Sequence, residues 1–249
     1  MLLNAKIRNV GEWKAIVTAI RDMVDEAMFI CNDDGITFRG MDPAHVALLD
    51  VTFPKSSFDL LESETSFFGL RIEDFQNVFN AANNDDLIEL QIEDPNYMKV
   101  KIEGSLAMEF TLKLVEKTQV NTPIPKVNSK SRISVSPNTL ARIITNVEKI
   151  SDHVTINSLF DKVEFYGKGD VGDARVNLDK TNPDLESFSL DEQTESVYSL
   201  EYMAKIVRDI GRACKSVKME YGSKTPLKML FEMPSNTKVD YYLAPRVEN

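Results

Sequence analysis

The chain has 249 residues and a formal net charge of −10, from 29 Lys and Arg against 39 Asp and Glu. That length holds one large domain or two ordinary ones, and a compact chain of this size buries roughly three-quarters of its unfolded surface without a disulfide or metal to help. Taken whole, the acidic balance argues against nucleic acid, because negative charge is repelled by phosphate at long range, so any such role must rest on how the charge is distributed.

Four segments carry the i, i+3, i+4, i+7 spacing of helices buried on one side. The first covers residues 11–24, with Trp13, Ile16, Val17, Ile20 and Val24 on one face. Strands over 27–31 and 36–40 follow, around the turn Asn32-Asp33-Asp34-Gly35, and Asp42-Pro43-Ala44 reads as a tight turn. The second helix covers 71–83, with Phe75, Val78, Phe79 and Ala82, and leads to strands over 87–92 and 98–102 around Asp94-Pro95-Asn96. From Glu116 to Ser131 periodicity fades; this stretch holds Lys117, Lys126 and Lys130, and its Pro123 and Pro125 favour extended chain.

The third helix covers 137–150, with Leu140, Ile143, Ile144, Val147 and Ile150. Ser136-Pro137 supplies a capping residue and a proline at the first turn. Strands over 154–157 and 163–166 follow. The fourth helix covers 200–213, with Met203, Ile206, Val207 and Ile210, and Ser199 is expected to cap it in the same way. Strands over 217–221 and 227–233 flank the turn Gly222-Ser223-Lys224.

Most of these strands alternate, as in Ile88, Leu90 and Ile92, which predicts antiparallel sheets with one covered face. Helix starts near 11, 71, 137 and 199 recur every ~60–66 residues, and such a period marks an internal repeat. The predicted class is α+β: two topologically similar domains with helices on one face of antiparallel sheets. Residues 1–116 form the first, 117–131 a connector and 132–249 the second. Two halves that merely share composition are the alternative.

Opposite the apolar stripes lie Lys14 and Arg21 on helix one, Arg142 and Lys149 on helix three, and Lys205, Arg208 and Arg212 on helix four. These spacings place each set on one face. Glu12, Asp22, Glu148, Glu201 and Asp209 share the helices, so an ordinary solvated face explains any single residue. Recurrence on three helices points to duplex DNA. No aromatic side chain stands among the cations, as single-strand binding by stacking would need, and nothing resembles a helix that reads base edges.

The sequence assigns no catalytic residue, metal or cofactor. Its two histidines, His45 and His153, are far apart, and it holds no H-E-x-x-H, glycine-rich phosphate loop or G-x-S-x-G. Asp33-Asp34 and Asp85-Asp86 are carboxylate pairs that a Mg²⁺-dependent nuclease could use, and equally the residues that turns contain. Cys31 and Cys214 form no C-x-x-C pair and read as small core residues of a reduced, intracellular protein. The first residues meet a charge at Lys6 and lack a signal peptide's apolar stretch. No apolar run has membrane-spanning length.

The string Asp34-Gly35-Ile36, Met41-Asp42, His45-Val46 and Leu48, together with Tyr241-Tyr242-Leu243-Ala244-Pro245-Arg246, resembles the signature of the proliferating-cell-nuclear-antigen family. Pro226 and the proline-bearing connector fall where that family has them, and the ending Pro245-Arg246-Val247-Glu248 is similar to archaeal members. The resemblance implies the DNA clamp fold and a ring-forming trimer, with helices lining the hole and sheet outside. Head-to-tail contacts close such a ring.

In the family, subunits join by edge strands, and the matching positions are 107–115, with Met108, Phe110, Leu112 and Leu114, and 173–179, with Ala174, Val176 and Leu178. Such rows invite aggregation unless paired; cover from within the chain is the alternative. The implied function is a non-enzymatic sliding clamp, a processivity factor that encircles double-stranded DNA. It would be placed by a clamp loader and would tether replicative polymerase, flap nuclease and ligase through short peptide motifs.

The positions matching the family's peptide groove are Met41, His45, Val46, Leu48, Pro123, Ile124, Pro125, Pro226, Tyr242, Ala244, Pro245 and Arg246. They suggest an apolar pocket rimmed by a connector with free backbone groups, where His45 offers one donor and one acceptor. Met41 and Val46 read equally as core. Where family members often carry lysines on helix two, this chain has Asn77 and Asn80. Membership of a heterotrimeric or checkpoint-type ring is the alternative function. The implied location is cytoplasmic and nucleoid-associated for an archaeal-type member, nuclear for a eukaryotic one.

Overall fold

The computed structural model describes residues 2–65, 67–116 and 122–246. Residues 117–121 of the expected connector, and Val247 and Glu248 of the ending, lie outside the described residues. The chain divides into two units. The first comprises Met1–His45, Leu49–Thr122 and Met233–Val239; the second comprises Val46–Leu48, Pro123–Glu232 and Asp240–Asn249.

From the N-terminus the elements are β1 (Leu3–Ile7), α1 (Val10–Arg21), β2 (Glu26–Asn32), β3 (Gly35–Met41), β4 (Ala47–Pro54), β5 (Leu60–Ser63), β6 (Phe67–Arg71), α2 (Ile72–Ala81), β7 (Leu87–Ile92), β8 (Tyr97–Glu103) and β9 (Ala107–Lys113). The series then repeats as β10 (Ser131–Val135), α3 (Pro137–Glu148), β11 (His153–Ser158), β12 (Lys162–Gly169), β13 (Gly172–Asp179), β14 (Leu185–Leu190), β15 (Thr194–Ser199), α4 (Leu200–Ile210), β16 (Ser216–Tyr221), β17 (Leu227–Glu232) and β18 (Lys238–Leu243).

Strand orders β5-β1-β7-β8-β9 and β4-β3-β2-β6 recur as β14-β10-β16-β17-β18 and β13-β12-β11-β15. Raising each strand number by nine converts the first pair of orders into the second. The duplicated α+β architecture is therefore present in order and in pairing, beyond shared composition.

Alternation sets the register. Ile88, Leu90 and Ile92 of β7 stand opposite Ile7, Ala5 and Leu3 of β1, and all six are buried. A slip by one residue would turn the whole row outward. In the first unit the core is aromatic. Trp13 stacks on Phe53 at 3.9 Å between ring centroids, with Phe79 at 5.7 Å, and Phe29 stacks on Phe68 at 5.0 Å. Each such ring removes some 150–250 Å² from water.

The second unit replaces part of this with hydroxyls. Ser158 Oγ lies 2.6 Å from Ser131 Oγ and 2.5 Å from Tyr221 OH. Tyr198 OH donates to the Thr225 carbonyl at 2.9 Å. Burial pushes the Tyr221 phenol above its ordinary pKa, so it stays neutral.

The helices end earlier than their periodicity predicts. α1 stops at Arg21 and α4 at Ile210, leaving Val24 and Ala213 outside. After α1 the apolar pattern continues because the following turn also packs on the core, as Met23 shows; after α4, Ala213 is half-buried. Ser136 caps α3 as expected, its Oγ accepting from the Thr139 N–H at 3.3 Å. Ser199 does not cap α4: it occupies the same position, but its side chain makes no capping bond.

This difference is testable. Ser136→Ala should lower stability in urea unfolding by about 1 kcal/mol and speed exchange of the Thr139 amide. Ser199→Ala, with no cap to lose, should cost at most ~0.5 kcal/mol. Equal losses would show that the two serines are equivalent.

Candidate DNA-facing helices, strand edges and partner surface

Each unit packs its two helices together, α1 with α2 and α3 with α4. On α1 the charges are largely engaged. Glu12 is only 8 % exposed; its carboxylate accepts from the Ser235 N–H at 3.0 Å and from the Ser235 hydroxyl. This acid is therefore withdrawn from the solvent face on which the sequence placed it. Lys14 is half-buried and donates to the carbonyl of Ala82, the residue that closes α2. A helix C-terminus favours a cation there. Thr18 donates to the Lys14 carbonyl at 2.7 Å and accepts from the Gln76 amide at 3.0 Å, completing a polar seam between the helices. Arg21 is exposed, with the Asp22 carboxylate at 3.6 Å. On α2, Asn77 and Asn80 are exposed, as are Glu73 and Asp74.

The second unit differs. Arg142, Lys149, Arg208 and Arg212 are all exposed. Lys149 donates to the Asn146 side-chain oxygen at 3.1 Å, and the Asn146 amide donates to the Arg142 carbonyl at 2.9 Å. Lys205 pairs with Glu201 one turn earlier at 2.9 Å. Among the described residues, Lys205 is the one cation of this set with a carboxylate within ion-pair reach.

β9 and β13 each end a sheet. β9 pairs with β8 and β13 with β12. Met108, Phe110 and Leu112 on β9, and Ala174 and Val176 on β13, are half-exposed. Two expected edge residues are placed otherwise. Leu178 is 2 % exposed and belongs to the core. Leu114 lies past the end of β9, where its N–H donates to the Asn96 carbonyl at 2.8 Å and it bridges to Leu70. On the other face of these strands stand Glu109, Thr111 and Lys113, and Asp173, Arg175 and Asn177. Arg175 is held by Glu164 at 3.3 Å and lies over the Tyr166 ring.

The residues expected to form a groove have mixed exposure. The turn after β3 closes through Asp42: its carboxylate accepts from the Ala44 N–H at 3.1 Å, and its carbonyl accepts from the His45 N–H at 3.0 Å. His45 sits in left-handed backbone, φ 59°, which presents its ring to solvent. Pro123 is exposed, Ile124 is 43 % exposed, and residues 122–129 belong to neither helix nor strand. Met41, Val46, Pro125, Pro226, Ala244 and Pro245 are half-buried.

Leu48, at 1 % exposure, and Tyr242, at 6 %, are core residues that support the surface instead of lining it. Within the second unit, the Ala244 N–H donates to the Val46 carbonyl at 2.8 Å, and the Arg246 N–H donates to the Val197 carbonyl at 2.7 Å. The Arg246 guanidinium lies 2.9 Å from His153 Nδ1. Arginine only donates, so Nδ1 acts as the acceptor. The Asp152 carboxylate approaches the same nitrogen, but it would need the opposite tautomer.

The paired carboxylates lie in turns held by side chains, Asn32 in the first and Asp86 in the second. The Asn32 side chain accepts from the Asp34 and Gly35 N–H groups, both at 3.0 Å, and Asp86 accepts from the Asn83 N–H at 2.7 Å. Burial raises the thiol pKa of Cys31 to about 11 and of Cys214 to about 12, so both stay protonated at neutral pH. Among the described residues, no group of three His, Cys, Asp or Glu side chains is placed to hold a metal. No helix among them is long and apolar enough to cross a membrane.

Comparison with known proteins places this geometry. The pattern "Proliferating cell nuclear antigen, N-terminal domain" matches residues 2–118, and the corresponding C-terminal domain matches 123–246. Proteins named DNA polymerase sliding clamp from Nitrosopumilus maritimus and Cenarchaeum symbiosum are 35% and 34% identical, each over 100% of both chains. The structure of PCNA from Thermococcus kodakaraensis superposes with a TM-score of 0.93 at 23% identity, covering 98% of this chain and 100% of that one. The PCNA2–PCNA3 complex of Sulfolobus tokodaii gives 0.90 at 25%, with the same coverage. By both its halves and its full-length relatives, the chain belongs to the proliferating cell nuclear antigen family.

Proposed function

We propose that the chain is a DNA polymerase sliding clamp, a non-catalytic processivity factor that closes with two further subunits into a ring around duplex DNA. The observation that carries this is the pair of unpartnered edges, β9 and β13, on a duplicated fold. Their counterparts in the repeat are β18 and β4, and the residues next to these, Ala244 and Val46, are hydrogen-bonded within the chain. Each of these edges offers open backbone donors and acceptors that an edge of another chain can pair. Head-to-tail use of two different edges closes a ring when the rotation permits.

DNA contact then falls to exposed cations on the helix faces, Arg142, Lys149, Arg208 and Arg212 among them. Their contacts are to phosphate, independent of sequence and weakened by salt, so the ring slides and retention is topological. The surface of Met41, His45, Val46, Pro123, Ile124, Pro125, Pro226, Ala244, Pro245 and Arg246 receives short peptide segments of replicative polymerase, clamp loader, flap nuclease and ligase, with Leu48 and Tyr242 behind it. The named relatives are archaeal, which supports a cytoplasmic, nucleoid-associated location. The Sulfolobus complex, built from two different clamp chains, supports a second reading in which this chain is one member of a mixed ring.

Three outcomes test this. Expressed alone, the chain should sediment at about three times 28.2 kDa and, once loaded, stay on closed circular DNA while leaving linear DNA. A monomer would favour the mixed ring, and equal loss from both DNAs would rule out encirclement.

Antiparallel pairing of β9 with a neighbour's β13 matches their apolar faces when Met108, Phe110 and Leu112 oppose Leu178, Val176 and Ala174. That register sets Lys113 against Asp173. Lys113→Asp should therefore weaken the trimer by ~0.2–1 kcal/mol at each junction, and adding Asp173→Lys should restore it; a double variant no better than the single one excludes this register. Ile124→Ala and His45→Ala should each weaken polymerase-peptide binding in calorimetry at least about threefold without lowering stability, and wild-type affinity in both would remove the groove assignment.

A further inference from the structure

The two units share a topology but not a charge pattern on their helices. In the first unit each cation has a local commitment: Lys14 is half-buried on the Ala82 carbonyl, and Arg21 has the Asp22 carboxylate at 3.6 Å. Exposed polar residues of α2 are Asn77 and Asn80, which are neutral, and Glu73 and Asp74, which are acidic, with Arg71 at the helix start 3.9 Å from Asp74. In the second unit Arg142, Lys149, Arg208 and Arg212 are exposed, with no carboxylate within ion-pair reach among the described residues.

A phosphate contact needs a cation that can turn to the ligand without abandoning a partner. Lys14 would give up a charge-assisted bond at a helix end, where its charge is already favoured. Arg21 would have to leave a neighbouring carboxylate that repels phosphate. Arg208 and Arg212 give up no ion pair, and a guanidinium can bind two phosphate oxygens side by side. Lys149 need only release a neutral amide oxygen.

We infer that the duplex is gripped by the second unit, through Lys149, Arg208 and Arg212, while α1 and α2 of the first unit act as a near-neutral spacer. This rests on the clamp reading above. In a ring of three identical chains the DNA then meets three strong patches alternating with three weak ones. Its field has threefold symmetry although the fold repeats six times. Arg142 is left out of the test because it also lines a cavity with Val176 and Leu178 of β13, where a substitution could disturb ring closure.

The test uses the intact ring and a 30-base-pair duplex probe, with binding followed by fluorescence anisotropy across a sodium chloride series; sedimentation first confirms that each variant ring is whole. Lys149→Ala with Arg208→Ala should weaken binding at low salt by roughly fivefold or more and flatten the salt dependence, since each lost phosphate contact removes about 0.9 from the logarithmic slope. Lys14→Ala with Arg21→Ala should change affinity less than about twofold and leave the slope alone. Equal losses, a larger loss in the first-unit variant, or no loss in either while the wild-type ring stays on circular DNA would each overturn the inference and leave the clamp standing. Failure of the wild-type ring to stay on circular DNA would overturn both.

Discussion

The backbone of an edge strand is the constraint from which the rest of this molecule follows. Every residue but proline carries a donor and an acceptor that must be satisfied, and a sheet that ends in a regular strand leaves a row of both open. β9 and β13 are such strands: seven and eight residues long, without proline, and with a half-exposed apolar row on one face. Natural proteins blunt such edges or cover them. Here the proposed cover is the same pair of edges on a second chain, used head to tail.

Topological repetition does not require repeated side chains, and the core shows how far the two units have diverged. Leu3 of β1 stands opposite Ile92 of β7. At the same place in the second unit, Ser131 stands opposite Tyr221. The apolar pair needs only contact. The polar pair is tolerated at full burial because Ser158 bridges the two hydroxyls; without it, a buried hydroxyl would lose ~1–3 kcal/mol of solvation uncompensated. What the fold fixes is which positions point inward, and either chemistry serves if its polar atoms are paired.

That division explains what the sequence disclosed. Helices α1 to α4 and the hairpins β2-β3, β7-β8, β11-β12 and β16-β17 were legible, because their periodicity is local and each is amphipathic. β4 was not: its Ala47, Leu48 and Leu49 are buried in succession, so the two-residue alternation is lost. β5 is only four residues long, too short to show a period. At the site, the charged stripes could be read from spacing, but their engagement could not. Glu12 finds Ser235 across 223 positions, and Lys14 finds Ala82 across 68. Nothing in either neighbourhood marks those bonds. Ser136 and Ser199 both occupy the capping position in extended backbone, and the side-chain hydrogen bond to the following turn is made only by Ser136.

The excess of acid over base then acquires a physical meaning. A protein of net charge −10 gains little from binding DNA at an arbitrary place on its surface, since most approaches are repelled within a Debye length of about 8 Å at physiological salt. A clamp benefits from this. Strong attraction everywhere would hold DNA on the outside and slow sliding on the inside. An acidic surface on which many strand cations are tied to carboxylates, as Arg39 is to Asp50, Arg132 to Asp191 and Arg175 to Glu164, lets affinity stay low while closure of the ring supplies retention. Engaging Lys14 and burying Glu12 act in opposite directions on the first unit: one ties up a positive charge, the other withdraws a negative one, and the helix face is left close to neutral. The sign of the whole chain and the sign of its helix faces are therefore separate properties, set by different residues, and a tether that must not stick needs both.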